Sequence, residues 1–119
     1  MDEKTKYPHI LRSADIKAAE STFSHPWNPK SEITGTHMSD KAGLSRTGVS
    51  LARIRPGKES FVYHLHHREE EWLYVFSGRN VARIDGSDYE MVPGDFVAFP
   101  TPSVPHHMTN PFQEDLVYI

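Results

Sequence analysis

From Ile33 onward, short runs of alternating apolar and polar residues are interrupted every several positions by turn-forming residues. Asp85-Gly86 is the strongest two-residue hairpin signal. Arg55-Pro56-Gly57-Lys58 and Pro93-Gly94-Asp95 also favour turns, and Ser77-Gly78-Arg79-Asn80 predicts a hairpin. Because a side-chain period of two is that of a strand, the pattern predicts an all-β antiparallel barrel or sandwich with almost no helix.

Two strands of this pattern carry most of the predicted core. In the first, Val49, Leu51 and Ile54 face inward if one bulge precedes Ile54. The second strand spans residues 71–76, and in it Glu71, Leu73 and Val75 share the face that points to the core. Its other face carries three aromatic residues, Trp72, Tyr74 and Phe76.

The two ends of the chain are less regular. We expect residues 1–32 to form an irregular arm with one short helix after Ser13 as its cap, and residues 33–119 to form the barrel domain. The arm is expected to pack across the core or onto a partner chain, with Trp27 as its anchor. The final strand, residues 115–119, stops in mid-pattern. It predicts either a chain shortened at its C-terminus or an edge strand completed by another subunit.

Length, charge and cysteine content exclude several classes of protein. The 119 residues suffice for one domain with a core, and the net charge of −3 gives no basic surface for nucleic acid. The Lys and Arg residues are scattered, which argues against binding to an anionic membrane. The absence of cysteine and of an apolar leader or membrane span favours a cytoplasmic protein.

Histidine and glutamate are concentrated in one segment, His64-Leu65-His66-His67-Arg68-Glu69-Glu70-Glu71. His64 and His66 are two positions apart and share one face of a strand, whereas His67 points to the other face. Glu69 and Glu70 fall in the turn and are expected to be solvated. Glu71 begins the next strand on its core face, so it is the predicted acidic ligand of a metal site.

A second cluster, Pro105-His106-His107, lies further along the chain. Only one of its histidines can face the interior together with Met108 and Asn110, and we assign His106 inward and His107 outward. Three imidazoles and one carboxylate suit a divalent cation. Exposed His and Glu at one hairpin are common, so a metal-free barrel with a solvated histidine cluster is the alternative. Because four such residues occur together on two strands, the metal-free barrel is a weaker hypothesis than the metal site.

The same residues resemble the two signature motifs of the cupin superfamily. The first motif corresponds to Gly57, His64-x-His66, Glu71 and Gly78, and the second to Gly86, Pro93-Gly94-Asp95, Pro100, His106 and Asn110. Two details depart from the family pattern. Six residues rather than five separate Gly57 from His64, and Pro102 replaces an expected glycine in a loop that is one residue longer. Neither change touches a predicted ligand.

The resemblance implies a jelly-roll β-barrel that binds one divalent metal, Zn, Fe, Mn or Ni, through His64, His66, Glu71 and His106. It is closest to small single-domain bacterial cupins of unassigned activity, and cupin folds host many reactions. The leading hypothesis is a metalloenzyme acting on a small carboxylate, dicarbonyl or sugar derivative, as a dioxygenase, decarboxylase or isomerase. The alternative is a non-catalytic module that binds or senses a small ligand.

Two further expectations concern the surroundings of this site. Tyr63, Asn110 and Arg53 are acid–base candidates if they reach the pocket. The aromatic residues Trp27, Trp72, Tyr74 and Phe76 exceed what one small barrel can bury, which predicts a homodimer.

Overall fold

The structure is a computed structural model of the chain and describes residues 7–61 and 70–119. The elements of this part are, in chain order, α1 (Ser13–Ala18), β1 (Ser21–Phe23), β2 (Ile33–His37), α2 (Met38–Ala42), β3 (Ser50–Ile54), β4 (Glu71–Ser77), β5 (Asn80–Ile84), β6 (Ser87–Met91), β7 (Phe96–Phe99), β8 (His106–Thr109) and β9 (Leu116–Tyr118). The strands dominate, as the alternating sequence pattern predicts.

The strands form two antiparallel sheets that enclose one core. One sheet has the order β1-β2-β3-β9-β4-β7, and the other has the order β6-β5-β8. Apolar side chains of both sheets meet in a single buried cluster, which includes Ile54, Val75 and Leu116 from the larger sheet and Ala82 and Met108 from the smaller one. This arrangement confirms the all-β prediction and matches a jelly roll.

The inward face of β3 differs in detail from the expectation. Ala52 and Ile54 are buried, and the pairing of β3 with its neighbours continues without a register shift. Leu51 lies opposite Thr36 on the other face and is only half-buried. The predicted bulge before Ile54 is therefore wrong, because the small Ala52, and not Leu51, fills the inward position.

Strand β4 follows the predicted alternation. Leu73 and Val75 are buried in the core, whereas Trp72 and Phe76 are 46% and 50% exposed on the outer face. Phe96 of the adjacent β7 lies on the same outer face, and its ring centroid is 5.6 Å from that of Trp72. The core face and the aromatic face of this strand are thus as the sequence predicts.

One predicted hairpin is confirmed and one is wrong. Asp85 and Gly86 have φ angles of 47° and 83° and join the paired strands β5 and β6. The turn after β4 joins strands of different sheets, since β4 pairs with β7 and β9 and β5 pairs with β6 and β8. At this crossing Gly78 has a φ of 75° and packs against the backbone of Asp115, where no Cβ atom fits.

The last strand is not an edge. β9 lies between β3 and β4, and Leu116 and Tyr118 both point into the core. Backbone hydrogen bonds between Ile119 and Tyr74 extend this pairing by one residue. The prediction that another subunit completes the strand is wrong because both of its edges are already paired within the chain.

The N-terminal arm is partly regular. Helix α1 forms as predicted, but its first turn is capped by Arg12 and Asp15 rather than by Ser13. β1 pairs with β2 and extends the larger sheet, and residues 24–29 are irregular as expected.

Trp27 does not anchor the arm to the described part of its own chain. Its side chain is 81% exposed, and Asn28 holds the arm instead by donating hydrogen bonds to Glu59 Oε1 and to the Phe61 carbonyl. Helix α2, which the sequence pattern missed, ends at Gly43 in the left-handed conformation. Neither described helix is long and apolar enough to cross a membrane.

Candidate functional site

Glu71 and His106 meet at the junction of the two sheets. Glu71 is the first residue of β4 in the larger sheet, and His106 is the first residue of β8 in the smaller sheet. The distance between Glu71 Oε1 and His106 Nε2 is 3.0 Å. The His106 side chain is 2% exposed and that of Glu71 is 40% exposed, so the carboxylate lies on the solvent side of the pair.

The tautomer of His106 follows from its second nitrogen. Nδ1 lies 2.8 Å from the backbone carbonyl oxygen of Val104. Because a carbonyl oxygen only accepts hydrogen bonds, Nδ1 must carry the proton. In the neutral ring this leaves the lone pair on Nε2 directed at Glu71, which is the arrangement of a histidine prepared to bind a metal.

Phe99 fixes the plane of the His106 ring. The two rings stack with centroids 3.7 Å apart and an interplanar angle of 7°. Phe99 is itself buried and lies directly opposite Glu71 in the pairing of β4 with β7. One aromatic ring therefore supports the histidine and stands beside the carboxylate.

The geometry of the pair fits a shared cation. Two ligand atoms about 2.1 Å from one ion and at a right angle are about 3.0 Å apart. This matches the observed separation of Glu71 Oε1 and His106 Nε2. The same separation also suits a hydrogen bond when one group of the pair is protonated, so the distance is compatible with both arrangements.

The other predicted ligands, His64 and His66, lie outside the described residues, as do His67, Glu69 and the acid–base candidate Tyr63. Within residues 7–61 and 70–119, no group of three or more His, Cys, Asp or Glu side chains is placed to hold a metal ion. The described part of the chain thus brings together two of the four predicted ligands.

Tyr118 is a buried residue on the same inward face as Glu71 that sequence reasoning missed. Its side chain lies on the inward face of β9, opposite Val75 of β4, and the residue is 9% exposed. Burial raises the pKa of the Tyr118 phenol well above its usual range, and the nearby charge of Glu71 raises it further. The phenol stays protonated at neutral pH. A strand periodicity that put Tyr118 inward was visible, but the sequence placed this strand at an edge.

Two acid–base candidates do not reach the site. Asn110 is buried, and its amide nitrogen donates to the carbonyl oxygens of Ile54 and Glu114, so it braces the loop after β8. Arg53 lies on the outer face of β3, where it pairs with Glu20 at 3.1 Å. Both residues have structural contacts and neither is a candidate for proton transfer.

His107 lies on the opposite face of β8 from His106, as predicted, but it is not solvent-facing. Its side chain is 11% exposed, and Nε2 is 3.7 Å from Glu59 Oε1. Glu59 also accepts the hydrogen bond from Asn28 of the arm, so the arm covers this face. Glu70 is exposed at the turn, as expected.

Comparison with known proteins defines the family. A family model described as a cupin domain matches residues 50–119. The chain belongs to the cupin family. No curated protein matches this cupin.

Solved structures similar to this cupin include two sugar phosphate isomerases. A proposed sugar phosphate isomerase from Acidithiobacillus ferrooxidans is 37% identical with a TM-score of 0.88, and the match covers 93% of this chain and 72% of that one. A sugar phosphate isomerase of the cupin superfamily from Silicibacter pomeroyi is 30% identical with a TM-score of 0.74, and the match covers 83% of this chain and 64% of that one. This cupin thus spans less than two thirds of the second protein.

A third structure shows the fold alone. The predicted oxalate decarboxylase from Thermotoga maritima is 21% identical with a TM-score of 0.72, and the match covers 92% of this chain and 93% of that one. The small cupin barrel is therefore shared with proteins of more than one described activity.

Proposed function

We propose that this cupin is a metalloenzyme that isomerises a small oxygenated molecule of the sugar type. One divalent cation, Zn, Fe, Mn or Ni, would be held by His64, His66, Glu71 and His106. One observation carries the proposal. Glu71 Oε1 lies 3.0 Å from His106 Nε2, while Nδ1 of the same ring donates a hydrogen bond to the Val104 carbonyl oxygen.

Three features of the described residues support this function. His106 is held in one tautomer and one plane, so its Nε2 needs no reorganisation to bind an ion. Glu71 is partly exposed, so a substrate can approach from its side of the pair. A bound divalent cation supplies Lewis-acid polarisation of a substrate oxygen.

Tyr118 provides the proton donor that the sequence alone lacked. Its phenol is buried near Glu71 and keeps its proton because its pKa is raised, so it can donate a hydrogen bond to a substrate oxygen. Isomerisation moves a proton between neighbouring carbons and oxygens of the substrate, and a positioned phenol can stabilise the oxygen that gains charge. Tyr118 is therefore the proposed hydrogen-bond donor to the substrate oxygen that gains charge.

The two isomerases among the similar structures favour this reaction class over oxygenation or decarboxylation. They are described as acting on sugar phosphates, which fits a substrate with adjacent oxygens that can contact both a cation and Tyr118. The non-catalytic binding module remains the competing hypothesis, and the test below separates the two.

Elemental analysis of the purified full chain tests the metal site. We expect about one equivalent of metal in the natural protein and a loss of most of it in Glu71→Gln, which removes a charge at a partly exposed position. Glu90→Gln is the matched control, because Glu90 lies on the surface strand β6 and pairs only with Arg79 in the described structure. Metal-free natural protein, or full metal retention in Glu71→Gln, would overturn the site.

Activity is tested on the metal-loaded protein with aldose and ketose sugars and their phosphates, followed by NMR. Interconversion that disappears in Glu71→Gln supports an isomerase. Stoichiometric metal without turnover of any sugar would instead favour the binding module.

A further inference from the structure

A cavity of about 360 Å³ lies against the inner face of β1, β2 and β3. Its volume is within the range of small-molecule sites in proteins. The alternation of the strands places Phe23, Ile33 and Ala52 on the cavity side, and Phe61 closes it from the segment that precedes residues 62–69. The rings of Phe23 and Phe61 meet edge to face with centroids 5.6 Å apart, so they form an apolar corner.

The polar groups of this cavity are concentrated in one pair. His37 Nδ1 and Ser50 Oγ lie 2.8 Å apart on directly paired positions of β2 and β3, and both residues line the cavity. The hydrogen bond uses Nδ1, and within the described residues Nε2 of His37 makes none. Nε2 can donate a hydrogen bond to a ligand in one tautomer of His37 and accept one in the other.

Two other hydroxyls at the cavity are already engaged. Thr36 Oγ1 donates to the carbonyl of Ile16 in α1, and Thr22 Oγ1 is bonded to Thr34 Oγ1. The lining therefore combines apolar walls with the available Nε2 edge of His37 and the hydroxyl of Ser21 at the rim. Such a site suits a compact ring with apolar faces and a hydroxyl group at its edge.

The cavity lies on the same face and at the same end of the sheet as Glu71. β9 is antiparallel to both β3 and β4, so these two strands run parallel with Tyr118 paired between Ala52 and Val75. Ser50 precedes Ala52 by two residues and Glu71 precedes Val75 by four. With neighbouring strands about 4.8 Å apart and a rise of about 3.3 Å per residue, the Cα atoms of Ser50 and Glu71 are roughly 12 Å apart.

Glu71 and His106 are not among the described residues that line this cavity. The cavity and the Glu71–His106 pair are therefore neighbouring parts of one interior face, with Tyr118 on the strand between them. A small molecule held in the cavity can extend its other end toward Glu71.

We propose that this cavity is the subsite for the non-reacting part of the substrate, a ring whose faces pack on Phe23 and Phe61 and whose hydroxyl binds His37 Nε2. The assignment as a substrate subsite rests on the proposed function, but binding of the ring itself does not require a metal. Both a sugar ring and an aromatic ring have this chemistry, and the experiment separates them.

The test is a titration of the full ¹⁵N-labelled chain with D-xylose, benzyl alcohol and inorganic phosphate, before and after treatment with a chelator. We expect at least one ring probe to shift the amide resonances of Gly35, Ser50 and Ala52, with Gly86 in the distant hairpin unchanged. The probe that binds more tightly shows whether the subsite takes a sugar ring or an aromatic ring. No shift with either ring, or shifts with phosphate alone, would overturn the subsite.

Variants locate the contacts. His37→Ala should weaken binding about three- to tenfold, the range of one hydrogen bond, and the control His9→Ala removes an imidazole that bonds Ala42 outside the cavity. Ser21→Phe, at an exposed position of the edge strand β1, should fill the cavity and abolish binding. Natural affinity in both His37→Ala and Ser21→Phe would contradict the proposal.

The outcomes separate the subsite from the metal centre. Ring binding by a protein that holds no metal would support the cavity as a ring-binding site, but it would overturn the proposed metalloenzyme and with it the cavity's role as a substrate subsite. Stoichiometric metal in a protein that binds neither ring would do the reverse.

Discussion

Phe99 and His106 are stacked almost in parallel, with ring centroids 3.7 Å apart and planes inclined by 7°. The two residues belong to different sheets, since Phe99 ends β7 and His106 begins β8. The stack therefore sets the orientation of a predicted metal ligand from the sheet that also carries Glu71.

Phe99→Leu should lower metal affinity about tenfold, because the His106 ring loses its support. It should also cost about 1–2 kcal/mol of the free energy of unfolding through lost packing. Phe96→Leu is the control, since Phe96 lies on the same strand but is 60% exposed. Titration with Zn²⁺ in the presence of a competing chelator measures both affinities. Equal affinities in the two variants would mean that the stack with Phe99 does not orient His106 for metal binding.

Tyr118→Phe should leave the fold intact. The phenol oxygen makes no hydrogen bond to the described residues, so its removal should change the free energy of unfolding by less than about 1 kcal/mol. Metal content should not change, whereas isomerase turnover should fall at least tenfold if Tyr118 donates a hydrogen bond to the substrate oxygen that gains charge. Chemical denaturation, elemental analysis and the sugar assay give the three values. Natural turnover in Tyr118→Phe would remove the residue from the mechanism.

Gly78→Ala should destabilise the protein by about 3 kcal/mol. The substitution combines a positive φ with a Cβ atom that meets the Asp115 carbonyl at the crossing between the sheets. Gly86→Ala is the matched control, because it has a similar φ but no atom within 4 Å of the new Cβ, and it should cost only about 1 kcal/mol. Guanidinium denaturation compares the two, and equal losses would show that the close approach is relieved at no cost.

The aromatic outer face of β4 and β7 should mediate a homodimer. Trp72, Tyr74, Phe76 and Phe96 are exposed side by side on these strands, and β7 is an edge of its sheet. Trp72→Glu should place a charge in the interface and produce a monomer in light scattering at micromolar concentration. Tyr89→Glu changes an equally exposed aromatic residue on β6 and should keep the dimer. A monomeric natural protein would contradict the prediction.

The ion pair of Glu32 and Arg55 should make stability depend on acid pH. The hydrogen bond from Arg55 lowers the pKa of Glu32 below the ordinary glutamate value of 4.5. A lowered folded-state pKa means that the pair stabilises the protein above pH 4.5 and that this contribution is lost as the pH falls through the folded-state pKa. Glu32→Gln should therefore lower the melting temperature at pH 7 more than at pH 3. Arg55→Leu should show the same pattern, and a pH-independent difference would exclude the pair as its cause.

The sequence predicts the part of the fold that depends on alternation. Leu73, Val75 and His106 face inward because a strand with a period of two has one buried face. The sequence does not predict which strands pair with each other. The turn at Gly78 has the composition of a hairpin, yet it connects two sheets, and β9 has the length of an edge strand, yet it lies in the middle of one. Both outcomes depend on contacts between residues far apart in the sequence, which local periodicity does not encode.

The residues of the candidate site also fall into two groups, those that the sequence predicts and those that it does not. Glu71 and His106 could be selected by strand face and by resemblance to the cupin motifs, whereas Tyr118 and the His37–Ser50 pair could not. These residues reach the interior only through the positions of β9 and β3 in the larger sheet. The size of an aromatic side chain does not show whether its own chain has a surface that buries it. Trp27 is therefore exposed here, and its packing onto a partner chain stays a prediction.

Glu71 and His106 are 35 positions apart and begin strands of opposite sheets. A partly folded chain with both strands formed but the sheets still separated would lack His106 beside the other predicted ligands. Coordination by all four predicted ligands would therefore need closed sheets, and an ion held by both residues would then act as a removable cross-link between them. In that case the metal-loaded protein would open more slowly than the metal-free one, so the ion would extend the lifetime of the folded state.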